Sequence, residues 1–106
     1  MAQFDVHRNS GPHRNTIPYV VVVQSSMFDD YKRRVVIPLV KASEVGQIAS
    51  ARFNPAFKIG STSVVLHPLE IVSVALDKLG KPVGSLVSEG DRIIGALDVL
   101  LMRMAS

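Results

Sequence analysis

The sequence predicts a mostly β fold with one C-terminal α-helix, carried by a single domain over residues 1–106. Three observations lead there. Short runs of β-branched residues recur between Gly- and Pro-bearing punctuation up to residue 88. After that point the apolar residues change from a period of two to a helical period. The length of 106 residues, 47% of them hydrophobic, suffices for one core and argues against a disordered chain.

The elements follow in order. Residues 3–7 alternate polar and apolar, with Phe4 and Val6 on one face, the period of a half-buried strand. Residues 8–16 contain Gly11-Pro12 and polar neighbours and read as a mobile loop. Pro18 favours an extended entry into residues 19–23, Tyr-Val-Val-Val-Val, a strand suited to burial on both faces. Residues 25–33 are polar and form a connection, and Arg34 to Ile37 form a further buried strand. Pro38, which has no N–H for the ladder, is expected to end it.

Residues 41–52 are ambiguous. Ser43 suits the cap of a short helix with Val45, Ile48 and Ala49 inward, whereas Gly46 disfavours one. Residues 57–59 and 63–66 flank Gly60-Ser61-Thr62 and predict a hairpin. Residues 71–76 alternate again, and Gly80, Pro82 and Gly84 bracket a short edge element around Val83.

Ser88, with Asp91 three residues on, reads as a helix start. From Asp91 to about Met104, the side chains Ile93, Ile94, Leu97, Leu100, Leu101 and Met104 fall within one arc of ~120° and are expected to face the sheet. Gly95, Val99 and Met102 form a second, narrower seam at i, i+4, i+7. Glycine there permits close approach of another backbone, so on pattern alone this seam suits a partner surface and a neighbouring loop equally, and a few exposed apolar residues are also ordinary on a surface.

The remaining chemistry is sparse. There is no cysteine, which excludes disulfides and thiolate metal sites and fits a reducing, cytoplasmic setting. The first fifteen residues have no signal-peptide core, and no apolar run approaches the ~20 residues of a membrane span. Net charge is +3 with scattered basic residues. The one run, Lys32-Arg33-Arg34, follows Asp29-Asp30 and reads as a solvated turn. His7, His13 and His67 have no metal-ligand spacing, Ser25-Ser26 has no nucleophile-elbow context, and the glycines form no phosphate cradle. No catalytic group, metal or cofactor is expected.

Two stretches are more specific. Val22-Val23-Gln24-Ser25 and Arg33-Arg34-Val35-Val36-Ile37-Pro38-Leu39 resemble the Asp-Val-Gln-Ser and Arg-Arg-x-Val-Ile-Pro-Leu core of the CcdB toxins of bacterial toxin–antitoxin modules. Gln3-Phe4-x-Val6 resembles the family's opening. Asn54-Pro55, Ile59-Gly60, Ser73-Val74 and the helix from Ile93 to Asp98 fall in register.

The resemblance implies a small SH3-like barrel of antiparallel strands and a symmetric homodimer, for which the seam of Gly95, Val99 and Met102 is the expected dimer contact. It also implies a toxin that binds the A subunit of DNA gyrase and traps it on cleaved DNA. A cognate antitoxin would neutralise it, and the pair would bind operator DNA to repress its own operon. The gyrase-poisoning members end in Trp-Gly-Ile, where this chain has Met102, Arg103 and Met104. Loss of a Trp anchor commonly costs over ~2 kcal/mol of binding. Met102, Arg103 and Met104 are therefore the target-binding candidates, on residues that depart from the family motif. Arg8, Asn9, His13 and Arg14, on the first loop, are the antitoxin-binding candidates. Two other readings stay open: a CcdB-like homodimer that binds antitoxin but has lost or changed its gyrase target, and a MazF-like ribonuclease toxin.

Overall fold

The computed structural model describes residues 2–103. Seven strands form one antiparallel sheet: β1 (Asp5–Arg8), β2 (Tyr19–Val22), β3 (Arg33–Lys41), β4 (Ala56–Ile59), β5 (Thr62–Leu66), β6 (Val72–Ala75) and β7 (Gly84–Ser85). Their order is β4-β5-β3-β2-β1-β7, and β6 pairs with β3. The sheet curls into a nearly closed barrel, and helix α1 (Gly90–Leu100) packs against it. The expected mostly β fold with one C-terminal helix is therefore present.

The core lies inside the barrel. Val6, Val21, Ile37, Leu39, Val64, Leu66 and Ile93 are fully buried there. Val22 and Val36 are buried as well, although they lie on the opposite face of their strands from Val21 and Ile37. The middle of the sheet is thus covered on both sides, as the unbroken valine run of β2 predicts. The hairpin between β4 and β5 turns on two residues, Gly60 and Ser61. Gly60 has φ +62, the positive value required at the first central position of a type II′ turn.

Several expectations are corrected. β1 begins at Asp5, because Phe4 adopts φ +69. This bend lets Phe4 donate its N–H to the Val22 carbonyl and accept from Leu86 N–H while its ring enters the core. Pro38 does not end β3, which runs on to Lys41. On one side β3 pairs continuously with β2, with Val20 opposite Pro38. On the other side its partner changes from β6, along residues 33–36, to β5, along residues 39–41. The proline falls in the gap between those partners, where a missing donor breaks no ladder bond.

Residues 41–52 form no helix. A single turn carries Glu44 and Val45 N–H to the Lys41 carbonyl, and Ile48 and Ala49 are exposed rather than inward. Side chains hold the segment instead: Ala49 N–H donates to Asn54 Oδ1 and Phe53 N–H to Ser50 Oγ. The basic run is not a solvated turn either. Arg33 and Arg34 belong to β3, and Arg34 is only 3% exposed.

Helix α1 is shorter and turned relative to the expected arc. A 3₁₀ turn over Val87–Glu89 leads into it, Ser88 does not cap it, and it ends at Leu100. The last bonds tighten, with Met102 N–H reaching the Val99 carbonyl. Gly90, Ile93 and Ala96 are buried, with Leu97 and Leu100 half-buried, whereas Ile94 and Leu101 are exposed. The reason is the two small residues. A Cβ on Gly90 would lie 2.7 Å from Cε2 of Phe4, so the helix packs most closely on its smallest side chains. The arc weighted by large apolar residues overlaps the buried face at Ile93, Leu97 and Leu100 but is rotated off it at Ile94 and Leu101. Met104, the last member of the arc, lies outside the described residues.

Candidate functional site

No helix among the described residues is long and apolar enough to cross a membrane. Among the same residues no group of three His, Cys, Asp or Glu side chains is placed to hold a metal ion. Three of the places where apolar side chains meet solvent bear on the candidate residues.

The first is the outer face and tip of α1. Leu101 is 75% and Met102 52% exposed, and Ile94 joins them on that side. Of the expected dimer seam, Gly95 and Val99 are half-buried and Met102 is exposed. A Cβ on Gly95 would meet nothing within 4 Å, so this part of the helix is open to an approaching surface. Of the target-binding candidates, Met102 and Arg103 are both exposed, and Met104 lies outside the described residues.

The second is the connection between β2 and β3. It exposes Met27 (80%), Phe28 and Tyr31, the two rings meeting edge to face with centroids 6.0 Å apart. Buried polar side chains hold this loop in shape. Arg34 donates to the carbonyls of Tyr31 (2.6 Å), Arg33 (2.9 Å) and Asp29 (2.9 Å), with the Asp29 carboxylate 3.7 Å away. Gln24 donates to the carbonyls of Phe28 and Arg33 and accepts from Val35 N–H. The sequence carries no local signal for this patch: its apolar members are interleaved with acidic and polar residues, without a period.

The third is the loop between β1 and β2, which carries the antitoxin candidates Asn9, His13 and Arg14; Arg8, expected on the loop, is instead the last residue of β1, paired with Tyr19. Asn9 organises it: Nδ2 donates to the Ile17 carbonyl at 2.8 Å and Oδ1 accepts from Gly11 N–H at 3.0 Å. The His13 carbonyl accepts from both Thr16 and Ile17 N–H, closing a turn. The loop lines a groove of about 500 Å³ on the outer face of the sheet. Arg8, Asn9 and His13 line it together; Arg14 does not. Its floor is Val20, Val36, Pro38, Val72 and Val74, with Lys78 and Leu79 on the far wall. Those floor residues went unassigned in the sequence because each reads as ordinary strand.

His7 lies apart from His13 and His67. His7 is fully buried, its Nδ1 2.8 Å from the Gly80 carbonyl, so it pins the 79–83 segment over β1. His13 and His67 line a cavity of about 570 Å³ that adjoins the groove.

A comparison with curated proteins finds no match. The family model for the CcdB protein matches residues 3–102, nearly the whole chain. The antiparallel barrel, its terminal helix and this match agree, and the chain belongs to the CcdB family, a family of toxins of toxin–antitoxin systems.

Proposed function

We propose that this protein is the toxin of a type II toxin–antitoxin module and acts without catalysis, by binding the A subunit of DNA gyrase as a homodimer. Family membership across residues 3–102 carries the reading. The exposed apolar tip of α1 supports it, because an inhibitor that works by occupancy needs an anchor surface rather than catalytic groups. In this reading Gly95, Val99 and Met102 meet their copies across a two-fold axis, since one self-complementary patch suffices for a symmetric dimer. Met102 and Arg103, with Met104 beyond them, contact the target. Arg8, Asn9, His13 and Arg14 receive the antitoxin, and operator DNA is bound only by the toxin–antitoxin complex. The protein is cytoplasmic in this reading, where gyrase and its DNA are found.

A second reading has a specific observation behind it. Met102-Arg103 replaces the apolar Trp-Gly of the poisoning members, and Arg103 is exposed. A dimer that keeps its antitoxin but has lost or changed its gyrase target accommodates that charge more easily.

Inducible expression without antitoxin tests both. Growth arrest with covalent gyrase–DNA complexes is the expected result. No arrest from an intact dimer favours the second reading. Arrest with degraded RNA and intact DNA overturns both in favour of a ribonuclease toxin.

A further inference from the structure

The longer connections between strands differ in how they are held. Asn9 ties the β1–β2 loop through the Ile17 carbonyl and the Gly11 N–H. Arg34 ties the β2–β3 loop through the carbonyls of Asp29, Tyr31 and Arg33. Between β6 and β7, His7 Nδ1 lies 2.8 Å from the Gly80 carbonyl, and Val83 N–H donates to the Val6 carbonyl. The β3–β4 connection is held only towards its ends. On one side Glu44 and Val45 N–H reach the Lys41 carbonyl. On the other, Ala49 N–H reaches Asn54 Oδ1 and Asn54 N–H the Ser50 carbonyl. Between them, no hydrogen bond among the described residues engages the backbone of Gly46, Gln47 or Ile48. All three are exposed, as are residues 42–44 and 49–52, and a Cβ on Gly46 would meet nothing within 4 Å.

Such a stretch suits the cleft of an endoprotease. A cleft of that kind takes its substrate as an extended strand and pairs with backbone N–H and C=O groups that are free to bond. Exposed loop tips built of small residues are where folded chains are nicked. Residues 45–49 read Val-Gly-Gln-Ile-Ala, mostly small or aliphatic. The flanking cations are less accessible to a cleft. Lys41 ends β3 and is half-buried, and Arg52 lies inside the turn that Asn54 N–H closes on the Ser50 carbonyl.

A cut here leaves the barrel joined. One piece carries β1, β2 and β3, the other β4 to β7 and α1. The β3–β5, β3–β6 and β1–β7 ladders all run between the two pieces. The core does too, with Ile37 and Leu39 from one packed among Val64, Leu66 and Ile93 from the other.

We propose that residues 45–49 are a site of limited proteolysis for an endoprotease that prefers small aliphatic side chains, and that the nicked chain keeps its fold. Hydrolysis breaks one peptide C–N bond and consumes one water. The water's hydroxyl joins the acyl carbon and its remaining proton goes to the released amine. The proposal stands on the backbone of this connection and does not depend on the toxin reading.

The test digests the full chain under native conditions. Subtilisin, whose broad specificity makes the cut report exposure, is expected to make its first internal cut within residues 45–49. The two fragments, identified by mass, should elute together at the size of the parent and keep its circular dichroism. Elastase is expected to cut this segment at least about tenfold faster than trypsin cuts at Lys41 or Arg52. Gly46→Pro/Ile48→Pro removes only N–H groups that have no partner and should slow the cut about tenfold. Ile93→Ala, which loosens the whole fold, should change the rate by no more than about twofold, because a local site needs no global opening. Thermal melts confirm that each variant is folded. A first internal cut in the β1–β2, β2–β3 or β6–β7 connection overturns the proposal. So do fragments that separate, faster cutting by trypsin, a proline variant cut as fast as the parent, or a rate that rises in Ile93→Ala in step with its lost stability.

Discussion

The guanidinium of Arg92 lies 4.6 Å from the ring centre of Phe57, joining the terminal helix to the edge strand β4. The strand order places β4 and β7 at opposite ends of the sheet, and a gap of about 500 Å³ separates them, lined by Phe57 and Lys58 on one side and Ser85 and Leu86 on the other. Arg92 spans that gap. It also donates to the Ala56 carbonyl at 3.0 Å and to Glu89 at 3.0 Å. A free edge strand invites pairing with another chain, and a side chain that occupies its carbonyl blunts that tendency.

Arg92→Ala is expected to lower stability by about 1 kcal/mol, most of it from the stacked contact and the Ala56 bond. The half-exposed Glu89 pair contributes little of that. Arg92→Lys recovers less than half, because an ammonium cannot stack on the ring and donate in the same fork. Urea denaturation of the three proteins measures this. Equal midpoints would show that the seam is held by the core alone.

Gly90→Ala is expected to cost about 1–3 kcal/mol, as over-packing a filled site does. The added Cβ would meet three ring atoms of Phe4 at 2.7–3.2 Å. The ring has little freedom to retreat, because Phe4 sits at φ +69 with both backbone groups bonded. A thermal melt checks it. An unchanged melting temperature would show that the Phe4 turn relaxes, which a Phe4→Leu/Gly90→Ala pair would then confirm by the absence of coupling.

These two contacts show where the sequence is legible and where it is not. Strand positions follow local pattern: β2, the β4–β5 hairpin and β6 appear close to where their valine runs and turn residues place them. What pattern cannot carry is the identity of neighbours. Pro38 reads as a strand end unless one knows that β3 changes partners beside it. Ile94 reads as core because it is large, whereas the small Gly90 and Ala96 share the actual contact with Ile93. Arg34 reads as surface because charged side chains ordinarily are; only the folded loop supplies the three carbonyls that take it inside. Asn9 and His13 read as loop and are loop, whereas Arg8 reads as loop and ends β1; the groove all three line is completed by β3 and β6, far away in the chain.

Arg34→Met keeps the volume at a nearly buried site and removes the donors. It is expected to cost about 2–4 kcal/mol, since hydrogen bonds to a charged group are worth ~1.5–3 and the carbonyls lose their partners. The loss should concentrate in the loop: amide exchange over residues 26–32 should rise more than exchange in β5. Uniform exchange throughout would mean that Arg34 supports the sheet as a whole and not the display of Met27, Phe28 and Tyr31.

Ile93→Ala and Ile94→Ala separate the two sides of the helix, with Leu97→Ala between them. Ile93 is fully buried in the core cluster, so its truncation is expected to cost about 2–5 kcal/mol. Leu97 only packs against that cluster and should cost less. Ile94→Ala, on the exposed side, should fall within about 0.5 kcal/mol of the parent in a monomeric protein. A large loss at Ile94 would show that a second surface covers it in solution.

That outcome bears on the dimer seam, where Val99→Asp and Gly95→Ala make complementary tests. Val99 is half-buried and adjoins open space at Gly95, so an aspartate there can reach solvent in the monomer but not in a two-fold contact. Gly95→Ala meets no atom within 4 Å and should favour the helix by roughly 1 kcal/mol. If the two copies meet along Gly95, Val99 and Met102, both variants stay folded, yet both shift the sedimentation equilibrium toward the monomer mass. The alanine acts by holding the backbones apart, the aspartate by bringing two like charges together across the axis. If both variants sediment as the parent does, the copies meet elsewhere. The apolar β2–β3 loop would then be the surface to mutate next, with Phe28→Asp as its counterpart.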